Sequence, residues 1–199
     1  KGPAAMARYT QRLIMSTFEQ MLAEMPFDKI TVSALVKRCD ISPNTFYYHY
    51  QDIYALLNAF LESRFGQYTQ CDYLAEKGWR TATKEMLADC KRSEKLIYHI
   101  YNSLSRDVLE RYVFTITDDV FYRQVKRAAA EQHSAATDAR LHEIAGICRY
   151  AFLGFFLKFL WNRMDDDIDK SVDSLGELFA GFVENAVKTH RKDTAGLNL

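Results

Sequence analysis

All three prolines of this chain, Pro3, Pro26 and Pro43, fall within its first 43 residues, which leaves 156 residues without one. With 8 glycines among 199 residues, the two residue types that punctuate turns stand at under half their average usage. A sandwich, barrel or βαβ repeat of this size needs a turn about every ten residues, so the distribution points to long helices and an all-α fold. A content of 48% hydrophobic and 26% charged residues supports one large domain or two small ones sharing a core, and excludes disordered and collagen-like chains.

Charge and cysteine narrow the setting. Lysine plus arginine balances aspartate plus glutamate at 26 each, which excludes a histone-like binder of polyanions. Cys39, Cys71, Cys90 and Cys148 show no C-x-x-C spacing, and no signal-peptide pattern precedes the first helical stretch, so a reducing, cytoplasmic location is expected. The most apolar run, Tyr150 to Trp161, has 12 residues interrupted by Lys158, short of the roughly 20 that span a bilayer. It is expected to be a buried helix, with no membrane association.

Apolar periodicity and capping residues predict about nine helices. Leu13, Ile14, Thr17, Phe18, Met21, Leu22 and Met25 form one buried stripe of a first helix that Pro26 closes. Thr31 is an N-cap for a short second helix in which Val32, Leu35, Val36 and Cys39 share a face. Asp40 and Ile41 make a tight turn, and Ser42 caps a two-turn third helix with Pro43 in its first turn. A fourth helix, Asp52 to about Tyr68, carries Leu56, Leu57, Phe60, Leu61 and Phe65, and Gly66 and Gly78 bracket the next connection. Later helices are expected over 79–91, 93–101, 105–131, 137–164 and 171–190, with Asp165 to Asp167 as a solvated loop. The boundary between an N-terminal three-helix unit (1–50) and a larger helical bundle (51–199) is placed near residue 50.

A helix, a turn of about three residues and a short polar-faced helix make a helix-turn-helix, whose second helix can enter the DNA major groove. In the third helix Phe46 and Tyr50 are four apart and can face the core with Ile41, which turns Asn44, Thr45, Tyr47 and Tyr48 elsewhere. Asn and Thr suit base edges, and tyrosine hydroxyls suit phosphate oxygens. Short helix pairs with polar faces are also common without DNA.

The segments Phe27-Asp28-Lys29-Ile30-Thr31-Val32 and Ile41-Ser42-Pro43-Asn44-Thr45-Phe46-Tyr47-Tyr48-His49-Tyr50, followed by Leu56-Leu57, resemble the N-terminal signature of tetracycline-repressor (TetR/AcrR) family transcriptional regulators. The resemblance covers roughly the first 60 residues. It implies a dimeric one-component regulator with an N-terminal DNA-binding unit and a divergent helical C-terminal domain that binds an effector and dimerises. The phrase Thr45 to Tyr50 is also similar to the branch containing dihydroxyacetone-kinase operon regulators. Position by position, the resemblance makes Pro43, Asn44, Thr45 and Tyr48 base-reading or adjacent backbone contacts, Tyr47 a phosphate contact, and Phe46 and Tyr50 packing residues. His49 is left open between backbone contact and packing. Lys37 and Arg38 on the second helix, with Arg8 and Arg12 near the N-terminal arm, are phosphate candidates.

One position departs from the family pattern. Where many members begin the fourth helix with a phosphate-reaching lysine, this chain has Ile53 preceded by Asp52, although the helix N-terminal amides remain a place for a phosphate. In the C-terminal part, Val172, Leu175, Phe179, Phe182, Val183 and Ala186 form a near-heptad stripe, and the preceding helix is apolar nearly all round. Phe152, Phe156, Phe159, Leu175, Phe179 and Phe182 are therefore the expected homodimer interface, with the filling of a single chain's core by both stripes as the alternative. Tyr98, His99, Tyr101, Tyr122, His142 and Arg149 are the candidates for lining a pocket for an unidentified small-molecule effector, with ordinary packing roles as the alternative for each. Lys158 lies about 180° round the helix from Arg149 and marks a solvated edge.

No enzyme is expected, since there is no phosphate-binding glycine loop, G-x-S-x-G or H-E-x-x-H. Neither a cofactor nor a metal is expected; Cys90, His99, His142 and Cys148 lack ligand-pair spacing. The expected partners are double-stranded operator DNA, a second copy of the chain and an effector. The alternative is a helical adaptor of the same fold acting through a protein partner or ligand without strong DNA binding. Residues 1–55 hold six basic side chains (Lys1, Arg8, Arg12, Lys29, Lys37, Arg38) against five acidic (Glu19, Glu24, Asp28, Asp40, Asp52), a net charge of +1. With about 0.9 of logarithmic slope per neutralised phosphate, a salt titration of operator binding should give a slope magnitude no greater than about 8 per dimer; a much steeper slope would contradict this reading.

Overall fold

A computed structural model describes residues 3–188. Among them are nine α-helices, two short 3-10 turns and no strand. The chain is all-α, with an N-terminal helix-turn-helix unit followed by a helical C-terminal region.

The N-terminal elements end where their residues say they must. Helix α1 (Pro3–Glu24) stops before Pro26, because a residue preceding proline is pushed out of the helical region. Its Ile14, Phe18, Met21 and Leu22 are buried, and Phe18 meets Phe27 and Phe60 edge to face at 6.3 and 5.8 Å. A 3-10 turn, Phe27–Lys29, leads to α2 (Val32–Cys39), where Thr31 Oγ1 accepts the Ala34 N–H at 3.1 Å. Asp40 closes α2 in the left-handed region (φ 53°), its N–H reaching Lys37 O and the Ile41 N–H reaching Val36 O. Ser42 Oγ accepts the Thr45 N–H at 3.1 Å and starts α3 (Pro43–His49). Asp52 Oδ1 accepts the Ala55 N–H at 2.7 Å and starts α4 (Ile53–Phe65).

The later helices are α5 (Cys71–Arg92), α6 (Glu94–Tyr101), α7 (Arg106–Glu131), α8 (Asp138–Trp161) and α9 (Ile168–Lys188). Three expectations are corrected here. The connection expected between Gly66 and Gly78 is a 3-10 turn only over Gly66–Thr69, and residues 71–77 are helical up to a single break at Gly78. Leu74 explains this, since it is buried and holds the segment in place. Helix α8 ends at Trp161 rather than at Met164: Arg163 and Met164 both take φ 57°, and Met164 is fully buried. The acidic stretch is more than a loop, because Asp167 Oδ1 accepts the Lys170 N–H at 3.0 Å and so starts α9 three residues before Ser171. The expected end of that helix, His190, lies outside the described residues.

The described residues cluster into two compact units: those up to 67 with 89–109, and 68–88 with those from 110 onward. The first contains all of α1 to α4 and α6, with Ile14, Phe18, Leu22, Leu35, Phe46, Leu56 and Leu57 at its centre. The second is built on Phe121, Val125, Leu141, Ile144, Cys148, Phe152, Leu175, Phe179 and Val183. In it, Trp79 of α5 packs on Phe179 at 5.7 Å, and Lys84 of α5 pairs with Asp169 and Asp173 of α9 at 3.0 and 2.9 Å. Helix α8 is long and apolar enough to cross a membrane by length and composition, the one such helix among the described residues. Its Leu141, Ile144, Cys148, Phe152, Leu153, Phe159 and Leu160 are nonetheless buried, and Arg140, Glu143, Arg149 and Lys158 interrupt the rest.

Gly78 has φ 76° and ψ 154°, a combination essentially reserved for glycine, while nothing lies within 4 Å of where a Cβ would stand. Gly78→Ala should therefore lower stability by about 1–3 kcal/mol from backbone strain alone; urea unfolding measures it, and an unchanged midpoint would contradict the assignment.

Candidate nucleic-acid interface

Helix α3 has seven residues, too few to persist unaided, and it stands on what it buries. Phe46 is fully buried and Tyr50, just past the helix, is buried beside it, with ring centroids 5.9 Å apart. These two anchors turn the intervening side chains outward. Pro43, Asn44, Tyr47 and Tyr48 are exposed, Tyr48 at 80%. Tyr47 leans edge-on against Phe46 at 5.4 Å, and Tyr48 against His49 at 5.0 Å, so both phenols extend from supported rings. Thr45 is half-buried, with its hydroxyl 2.8 Å from the Ser42 hydroxyl. His49 is also half-buried, set between Tyr48 and Tyr50.

The cations around this face divide in two. Lys37, Arg8 and Arg12 are exposed. Arg38 is held in a bidentate pair by Glu24 of α1, at 2.5 and 2.6 Å, so the phosphate candidate on α2 already has an anion in its fork. Lys29 pairs with its neighbour Asp28 at 3.2 Å. At the start of α4, Ile53 is half-buried, and Asp52 both caps the helix and brings a negative charge to its N-terminus. The amides there are thus less available to a phosphate than the sequence alone indicates.

Two family models match the chain. One, described as bacterial regulatory proteins, tetR family, covers residues 14–60; the other, described as the transcriptional regulator C-terminal region, covers residues 77–181, more than half of the chain. The protein belongs to the tetR family. Members of this family are transcription regulators and not enzymes. Both matches are to the family as a whole and carry no branch assignment. No curated protein matches the chain.

The sequence-derived effector candidates are divided between the two units. Tyr98, His99 and Tyr101 lie on α6 in the first unit, where His99 Nδ1 is 2.6 Å from the Leu22 carbonyl and Tyr98 meets Tyr101 at 6.3 Å. In the second unit, Tyr122 and His142 stack at 4.1 Å, and Tyr122 donates to the Asp138 carboxylate. His142 is exposed, and the half-buried Arg149 lies over the half-buried Phe114 ring at 5.2 Å. Among the described residues no group of three His, Cys, Asp or Glu is placed to hold a metal. Burial pushes the Cys90 thiol up to about 12 and the Cys148 thiol up to about 11, which keeps both protonated and unreactive.

The residues expected at a dimer face are mostly covered by the chain itself. Phe152, Phe159, Leu175 and Phe179 are buried in the chain's own core and Phe156 is half-buried, leaving Phe182 alone exposed, at 38%. A helix apolar on all sides gives no sign of which face its own chain covers, and here the Phe152 and Phe159 rings went inward. The uncovered stripe on α8 is Ile147, Tyr150, Ala151, Gly154, Lys158 and Trp161, at heptad-like spacing, with Leu178 and Phe182 on α9. Spacing could have found it, and so could the small Ala151 and Gly154 on that stripe.

The Glu24 and Arg38 pair carries a pH signature. Hydrogen bonding from Arg38 holds the Glu24 carboxyl below its ordinary 4.5, so the pair's contribution to stability is present above that value and is lost as pH falls through the lowered one. The small stability gap between wild type and Glu24→Gln should accordingly close below pH 4.5 in acid-dependent urea titrations; a gap that persists at lower pH would contradict this assignment.

Proposed function

We propose that the protein is a ligand-responsive, dimeric, cytoplasmic transcription regulator that binds a pseudo-palindromic operator through the α2-turn-α3 unit. The observation that carries the reading is the outward set of Asn44, Tyr47 and Tyr48 on a helix whose Phe46 is fully buried. Among the described residues no packing calls for two exposed tyrosines there, whereas major-groove edges and flanking phosphates do. Asn44 is the base reader, Pro43, Thr45 and Tyr48 lie beside it, and Tyr47, Lys37, Arg8 and Arg12 contact phosphates. His49 supports Tyr48. Arg38 is demoted to positioning α2 against α1, since Glu24 occupies it.

Two copies present two recognition helices to the two half-sites of a palindrome. The stripe of Ile147, Tyr150, Gly154 and Trp161 on α8, with Leu178 and Phe182 on α9, supports dimerisation: Trp161 is 81% exposed, and Ala151 and Gly154 allow close helix approach. The effector acts by favouring one arrangement of the two recognition helices over another. A second reading, an adaptor of the same fold that does not bind DNA strongly, is favoured by the occupied Arg38, by Asp52 at the start of α4 and by the net charge of +1 over residues 1–55.

Selection of duplexes from a random library, followed by fluorescence anisotropy, separates the two. A pseudo-palindrome should be enriched, and Asn44→Ala and Tyr48→Ala should each cost about 1–3 kcal/mol of discrimination; Lys37→Ala should weaken binding to all sequences alike and lower the salt slope by about 1 for each phosphate left unneutralised. No enrichment would favour the adaptor. In light scattering at micromolar concentration the wild type should be a dimer and Trp161→Glu with Leu178→Glu a folded monomer; a monomeric wild type would overturn the dimer.

A further inference from the structure

The half-buried cations of this chain mostly come with something to hold. Arg64 and Lys84 pair with carboxylates, Arg140 pairs with Glu143, Arg123 meets a sulfur and a carbonyl, and Arg149 covers the Phe114 ring. Arg80 of α5 is the exception: half-buried, it has no anion and no hydrogen bond among the described residues. The carboxylates beside it along α9 are turned to other uses. Asp169 and Asp173 hold Lys84, and Glu177 is exposed and makes no pair with Arg80. A guanidinium drawn partly out of water with an open fork is a costly arrangement to keep without a ligand.

A glycine makes the place for this side chain. Gly176 of α9 is buried under it: a Cβ there would stand 2.5 Å from Arg80 Cζ, 2.9 Å from Cδ and nearer still to Nε, so any other residue would push the guanidinium away. A second unused polar group lies one turn further along α5. Thr83 is only 9% exposed, yet its hydroxyl makes no hydrogen bond among the described residues, whereas the buried Thr117 of α7 donates to the carbonyl four residues before it. Residues three apart on a helix are neighbours with Cβ atoms about 5–6 Å apart, so Arg80 and Thr83 put a charged fork and a hydroxyl next to each other. Trp79, Thr83 and Met86 share a face at i, i+4 and i+7, and Trp79, packed on Phe179, and Met86 flank the hydroxyl with half-buried apolar surface. All of these residues belong to the second unit.

We propose that the effector is a small monocarboxylic acid with a hydroxyl or keto oxygen beside its carboxylate, held by the Arg80 guanidinium and the Thr83 hydroxyl. The guanidinium takes a carboxylate with two parallel hydrogen bonds. Thr83 serves the neighbouring oxygen of the acid, donating to a keto group or accepting from a hydroxyl. One open fork matches one negative charge. A phosphate monoester carries roughly −1.5 to −2 and calls for a second cation, but Lys84 is already held by two aspartates. Trp79 and Met86 suit an apolar body on the acid, since a few placed polar groups among apolar walls are the usual make-up of a small-molecule site. The inference rests on the ligand-responsive reading proposed above and names the chemical class of the ligand.

The test is calorimetric titration of the full chain with lactate, 2-oxobutyrate, mandelate and phenylpyruvate, and with mandelamide and phenyl phosphate as controls. At least one of the four acids should bind once per chain at about 1 mM or tighter, and both controls at least about tenfold more weakly than that acid. Arg80→Gln should weaken the acid at least about tenfold, and Thr83→Val severalfold. Gly176→Ala keeps every charge and favours the helix, yet should weaken the acid as Arg80→Gln does, by displacing the guanidinium. Thr83→Val should also raise the melting temperature, because it removes a buried hydroxyl without a partner; weaker binding by a more stable protein is not what a merely structural threonine gives. Binding of none of the acids overturns the proposal. So does binding that survives Gly176→Ala and Arg80→Gln unchanged, or a control that binds as tightly as the acid. The acid that binds should then change affinity for a duplex enriched by the wild type, and binding without that change overturns its role as effector. Operator binding by a chain that takes up none of the acids sinks this inference alone, whereas acid binding by a chain that enriches no duplex sinks the DNA reading and leaves the carboxylate site.

Discussion

Everything at the outward face of α3 depends on the burial of Phe46. A seven-residue helix does not recover the cost of its own nucleation, so α3 persists only because Phe46 has no exposed surface, Tyr50 packs beside it and Ser42 satisfies a first-turn amide. The phase of the helix follows from that anchor. Once position 46 points inward, positions 44, 47 and 48 point out, and their chemistry becomes available to a partner. The same anchor orients Tyr47, whose ring edge rests on it.

Around this face the charges are mostly used internally. Arg38 goes to Glu24, Lys29 to Asp28, and Arg64 to Glu19 and Asp89. Exposed pairs such as the first two contribute little to stability, but they reduce the field that a polyanion would feel at a distance. Discrimination by the shape and hydrogen bonding of a few side chains is the economical use of a surface like this, with less help from long-range attraction.

How much could be read in advance followed the density of punctuation. From α1 to α3 each boundary is set by a proline, an N-cap oxygen or the Asp40 turn, and the sequence places these helices to within a few residues. Between Gly66 and Gly78 the spacing predicts one loop with a glycine at each end, whereas one glycine ends a helix and the other interrupts the next. Within α8, Phe152 and Trp161 look equally suited to a core by composition, and only the packing of Phe152 on Phe121, which in turn meets Phe179, decides between them. Contacts across long stretches of chain, such as His99 with Leu22, leave no periodic trace. His99 therefore read as one polar side chain among several, although Pro26 already announced that a carbonyl four residues earlier would need a donor from elsewhere.

The four cysteines fall into two chemical classes. Cys39, Cys90 and Cys148 are buried, while Cys71, at the first residue of α5, is exposed beside the Arg123 guanidinium that donates to its sulfur. A maleimide dye added to the folded protein should thus attach at one place per chain with no residue replaced. The chain comes with its own single labelling position, seven residues before the backbone break at Gly78, where a fluorescent or spin probe can report on that part of the second unit.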